Sequence, residues 1–124
     1  MAVSLSFQDG VLVVTMSGEN AFREFVTAIR QAYADERFGT RTPVLIDARQ
    51  STAAPNAAEV HEGCRSLMMA RPNGHAARWA SVVRPEPLRF GIGRMVALTM
   101  ESMGSETAVF TEVEAALTFL KARS

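Results

Sequence analysis

The stretch Pro43-Val44-Leu45-Ile46-Asp47-Ala48-Arg49 decides the fold. A run of apolar, largely β-branched residues ends abruptly in an acid, a small residue and a base. A buried central strand looks like this where it emerges at the carboxyl edge of an α/β sheet, and loops at that edge carry function. The stretch therefore predicts a strand over 43–48, covered by helices, that delivers Asp47 to the lip of the sheet.

Upstream, Val3, Leu5 and Phe7 alternate with polar residues, and Asp9-Gly10 supplies the two positive-φ positions of a type I′ turn. Val11-Leu12-Val13-Val14 completes the hairpin with a strand covered on both faces. Ser17-Gly18-Glu19-Asn20 breaks that strand, with Asn20 placed to cap a helix. Phe22, Phe25, Val26, Ile29 and Tyr33 then recur at helical spacing.

Downstream, residues 50–56 form a polar loop containing Pro55. Asn56 and Glu59 have the spacing of a capping box. Val60, Cys64, Leu67 and Met68 make a second helical stripe, stopped by Pro72-Asn73-Gly74. Trp79–Val83 reads as a strand, and Pro85 and Pro87 bracket a helix start. Leu88, Ile92, Met95, Val96 and Met100 form the third stripe, ended by Gly104. Ala108–Phe110 is a short strand, and Thr111 with Glu114 reads as a capping box ahead of Val113, Ala116, Leu117 and Leu120.

The order β-β-α-β-α-β-α-β-α predicts the α/β class: one domain over residues 1–124, with a mixed, mostly parallel sheet of about five strands, an N-terminal β-hairpin and four helices. The 124 residues are enough to bury roughly two thirds of the unfolded chain's surface without a metal or a disulfide. Thirteen basic and thirteen acidic residues balance, so net charge draws the chain neither to nucleic acid nor to an anionic membrane. No apolar run is long enough to span a bilayer, which predicts no integral membrane association. The lone Cys64 has no internal disulfide partner and fits a reducing compartment. With no basic-then-apolar leader at the amino end, the expectation is a cytoplasmic protein.

Several phrases resemble the SpoIIAA-like, or STAS/SEC14-type, small domains of bacteria. They are Gly10-Val-Leu-Val-Val-Thr-Met-Ser-Gly18, Pro43–Arg49, Arg78-Trp-Ala-Ser-Val-Val83, Arg89-Phe-Gly91 with Arg94-Met95, and Val109-Phe110 with Glu114-Ala-Ala-Leu117 and Phe119-Leu120. The resemblance covers almost the whole chain. It implies a SpoIIAA-like fold and an interaction or signalling role rather than catalysis. In the STAS relatives that are anti-anti-sigma factors, the switch is a Ser or Thr after the third strand, in an Asp-Ser-x-Gly-like phrase. This chain reads Asp47-Ala48-Arg49-Gln50-Ser51-Thr52, so the acid matches, the next residue is Ala, and Ser51 and Thr52 are the nearest hydroxyls.

Candidate binding residues follow from charge and position. Asp47 and Arg49 can form a charged pair on the rim that holds a polar ligand or a partner side chain; alternatively Asp47 caps the loop by accepting backbone N–H bonds while Arg49 is solvated or paired locally. Six arginines stand between 65 and 94 against one acid, Glu86. Arg89 and Arg94 flank Gly91-Ile92-Gly93 near a helix start, which suits an anion. The same glycines also suit close packing of helix on sheet, and a lone Gly-x-Gly lacks the rest of a dinucleotide fingerprint. His61 and His75 have no metal-ligand spacing, so no metal and no cofactor is expected. Cys64 lies on an apolar stripe, as structural thiols do.

Met68, Met69, Met95, Leu98 and Met100 gather on the second and third helices, and of these Met69 and Leu98, with Ala97, exceed what one stripe per helix requires. They fit either a subunit interface or an adaptable apolar pocket. Taken together, these features predict a non-enzymatic interaction module that binds a protein partner or a second copy of itself as a homodimer. The alternative is a binder of a small apolar or lipid-like ligand in a Met-lined pocket.

Overall fold

The computed structural model describes residues 3–19 and 21–122. The elements run β1 Val3–Gln8, β2 Val11–Gly18, α1 Ala21–Ala32, β3 Val44–Ser51, α2 Ala57–Ala70, β4 Trp79–Val82, α3 Pro87–Ser102, β5 Thr107–Phe110 and α4 Val113–Lys121. The sheet order is β1-β2-β3-β4-β5, with β1 antiparallel and the other pairings parallel. The chain is an α/β domain with β3 at the centre.

The first turn forms as the Asp9-Gly10 pair dictates, with φ of 52° at Asp9 and 79° at Gly10. Both values are positive, as a type I′ hairpin requires. The cap expected at Asn20 lies outside the described residues.

Each crossover from β2 to β5 steps one strand in the same direction. Right-handed crossovers in one direction drop every connecting helix onto one face. Accordingly α1, α2 and α3 pack side by side over that face, with Leu12, Val14, Val44, Ile46 and Trp79 beneath them. Tyr33 ties the first two helices together by donating to the Leu67 carbonyl at 2.9 Å. Because α4 follows the last strand, it makes no crossover and takes the opposite face. There it closes a second, smaller core of Val11, Leu45, Ala80, Val82, Ala116 and Leu120. On that face β1 presents only Ser4, Ser6 and Gln8, all exposed.

Several boundaries differ from expectation. β3 runs on through Ser51, because parallel pairing to β2 continues past an irregularity between Thr15 and Ser17 and joins Gly18 to Ser51. The Asn56–Glu59 capping box is present in both directions, at 2.8 Å each. The Thr111–Glu114 box is absent: α4 begins at Val113 behind Glu112, and no side chain caps it. α3 is rotated from its expected stripe. It faces the sheet with Gly93, Ala97 and Met100, leaving Leu88 63% exposed. The rotation follows from Gly93, whose missing side chain lets the helix lie directly on Val109 and Val83.

Candidate functional site

The carboxyl ends of β2 to β5 and the amino ends of all four helices share one rim. Asp47 and Arg49 stand on it, and they are engaged with each other. Arg49 donates from Nε to Asp47 Oδ1 at 2.9 Å and from Nη2 to Oδ2 at 2.8 Å, while its backbone N–H also reaches Oδ1. This two-pronged pairing holds the Asp47 carboxyl below its ordinary pKa and raises that of Arg49. A carboxylate so stabilised in its charged form is a poor proton acceptor.

The neighbouring arginines are also engaged. Arg84 Nε lies 3.3 Å from Glu86 Oε2, an ion pair by distance whose angle does not make a hydrogen bond. Arg89 reaches back from the first turn of α3 and donates one Nη1 to the carbonyls of Ser51 and Ala53, at 3.1 and 2.8 Å. Its guanidinium pins the segment that leads from β3 to α2. Ser51 is buried, and its hydroxyl accepts the Ala53 N–H at 3.2 Å. Thr52 is exposed, with its N–H on the Gly18 carbonyl.

Beside this strap lies an apolar cavity of about 60 Å³. Phe22 and Phe25 of α1, Ile46 of β3, Val83 just past β4 and Val96 of α3 wall it, and Arg89 closes one side. Among the described residues, Met16 is the one methionine that lines it. Sequence reasoning missed these walls, since they come from elements up to eighty residues apart. The alternation of Met16 with Val14 and Leu12 was the only local sign that Met16 faces inward.

The other expected residues scatter. Met68 and Met100 belong to the core under α2 and α3, not to a pocket or an outer face. Ala97 also points inward. Met69 and Leu98 are 73% and 56% exposed, on two different helices, and Met95 is half-buried. Arg94 is exposed partway down α3 and takes no part in the Arg89 contacts. Gly93 is taken up by packing on Val109, while Gly91 faces open space. The arginines and glycines of this segment therefore do not converge on one anion-sized point. Among the described residues no group of three acids, histidines or cysteines could hold a metal ion. No helix of the described residues is long and apolar enough to cross a membrane.

Comparison with known proteins places the fold. The chain matches the crystal structure of an uncharacterized DUF3478-family protein with a SpoIIAA-like fold from Shewanella loihica PV-4. The TM-score is 0.58 and identity 17%, over 96% of this chain and 92% of that one. It also matches the unphosphorylated form of the anti-sigma factor antagonist SpoIIAA, with a TM-score of 0.51 and 15% identity over 98% of this chain and all of the other. No protein-family model matches the chain, and no curated protein sequence matches it. The fold is SpoIIAA-like.

Proposed function

We propose that this chain is a non-enzymatic interaction module of the STAS type, and that a partner protein docks on the rim formed by Asp47–Arg49, Thr52 and the Arg89-pinned strap. The observation that carries the reading is the cavity beside that strap: apolar, open at the rim, and about 60 Å³. An engineered cavity that takes benzene measures about 150 Å³. The space here suits one small apolar side chain of a partner, seated in a desolvated hollow. The volume counts against the lipid-like alternative, whose acyl chain needs far more room. The mutual neutralisation of Asp47 and Arg49 supports contact over catalysis. The buried, unpaired Cys64 is in keeping with a cytoplasmic setting.

Fold likeness to an anti-sigma factor antagonist supports a partner-binding role for this chain. Ser51 is buried with its hydroxyl accepting the Ala53 N–H, which shields it from modification.

Photo-crosslinking in cells tests the reading. A crosslinker at Thr52 should capture a defined protein that one at Glu36, on the opposite edge, does not. Ala48 also lines the cavity, and filling it with Ala48→Leu should abolish that capture. Equal capture from both positions, or a small molecule retained in native mass spectrometry, overturns the proposal.

A further inference from the structure

Helix α3 rests on the sheet and is flanked by α2, with Met95 half-buried against the core, yet it also carries apolar residues on the side that faces away from the sheet. Its inner side, through Gly93, Ala97 and Met100, already rests on the sheet. On its outer side Leu88, Gly91, Met95, Leu98 and Ser102 succeed one another at intervals of three, four, three and four residues. That alternation is the a/d seam of a coiled coil, not the broader stripe of a helix packed on a sheet. Leu88 and Leu98 are 63% and 56% exposed, and a side chain added at Gly91 would meet nothing within 4 Å. A helix that is apolar on two opposite sides is expected to be covered on both.

The charges along the seam say what covers it. Arg94 and Glu101 are seven residues apart, so they occupy the same flanking position of successive heptads, about 10 Å apart along the axis. Both are exposed, and among the described residues neither forms an ion pair. Neither has an oppositely charged residue three or four places away within the helix. A second copy of α3, laid antiparallel about a two-fold axis, sets each Arg94 beside the other copy's Glu101. The same axis sets Met95 against Leu98 and Leu98 against Met95. The seam is thus complementary to itself in both shape and charge, as a two-fold interface must be.

We infer that α3 is a homodimer interface, in which two copies of this chain pack α3 against α3 in antiparallel register with paired Arg94–Glu101 contacts. The surface runs along the outer side of α3 and meets the rim proposed for the partner protein only at Leu88. A single helix pair buries less than a standard interface, so the dimer is a weak one that forms in the micromolar range.

Sedimentation velocity across that range tests this, with thermal unfolding at low concentration as a check that each variant folds. The wild-type chain should dimerise, and Leu98→Glu should remain monomeric with an unchanged fold. Arg94→Glu and Glu101→Arg should each weaken dimerisation about tenfold, because each dimer loses two attractions and gains two repulsions. The double variant Arg94→Glu/Glu101→Arg should restore it, which no merely structural role of either residue would do. A wild-type chain that stays monomeric, dimers that survive Leu98→Glu, or a double variant as weak as the single ones overturns the inference. None of these results bears on the rim crosslink.

Discussion

Gly93 lies so close to Val109 that a Cβ placed on it would stand 2.7 Å from Val109 Cγ2 and 3.4 Å from Val83 Cγ1. Both contacts are β-branched side chains with little rotamer freedom to yield. Gly91, two residues earlier on the same helix, would meet nothing. The pair separates packing from helix propensity. Gly93→Ala should destabilise the fold by about 1–2 kcal/mol, overpacking outweighing the propensity gained. Gly91→Ala should stabilise it by about 0.5–1 kcal/mol. Urea unfolding midpoints measure both, and a neutral Gly93→Ala would mean that α3 is free to lift off β5.

Among the described residues, Arg89 is the side chain that holds the Ser51 and Ala53 carbonyls. Replacing it by Met keeps an apolar stem and removes the donors. The expected loss is about 1–3 kcal/mol, as for a hydrogen bond to a charged group. Hydrogen exchange should quicken at the Thr52 and Ala53 amides while the β3–β4 ladder stays protected. Uniform quickening along the chain would instead mean that Arg89 supports the whole core.

Acidification should destabilise the protein in two separate windows. His75 is buried, stacked on Phe38 with ring centroids 5.0 Å apart, and its Nε2 lies 3.0 Å from the Thr42 carbonyl oxygen. Burial lowers its pKa below the ordinary 6.5. As pH falls through 6.5, the unfolded chain takes up a proton that the folded imidazole refuses, so stability declines by up to about 1.4 kcal/mol per pH unit. His75→Gln should flatten the melting temperature between neutral pH and the onset of carboxylate protonation. Asp47 acts lower. Its folded pKa lies below 3.8, so its stabilisation is complete above 3.8 and disappears as pH falls through the folded value. With Arg49 about half exposed, that second contribution is under about 1 kcal/mol.

Burial pushes the Cys64 thiol up to about 11. At mildly alkaline pH it is both shielded and protonated, so a disulfide reagent should reach it only through local opening. Labelling should be slower in the native protein than in urea by on the order of a thousandfold. Rapid native labelling would show that α2 separates readily from the sheet.

Much of the architecture was legible because it is written in local pattern. The apolar run before Asp47 marks the central strand, Asp9-Gly10 marks the hairpin, and alternating strand and helix signals imply parallel pairing. What escaped was set by distance along the chain. His75 sits in a polar loop of sequence, yet it is interior because Phe38 and Thr42, over thirty residues away, fold around it. Arg89 reads as a free cation, and its partners are carbonyls nearly forty residues upstream. The orientation of α3 escaped too, since Leu88 and Met100 share an apolar character but only the second meets the sheet. Asp47 and Arg49 were identifiable as rim residues, but their two-pronged geometry was not.

The position of α4 has a bearing on biosynthesis. The larger core is assembled from residues that precede β5, with α1, α2 and α3 laid down in turn as each crossover is completed. Leu45 and Val82, in contrast, face a side of the sheet that stays uncovered until residues 113–121 have left the ribosome. During that interval a nascent chain carries one finished core and one bare apolar patch, the condition in which chaperones engage and misassembly begins.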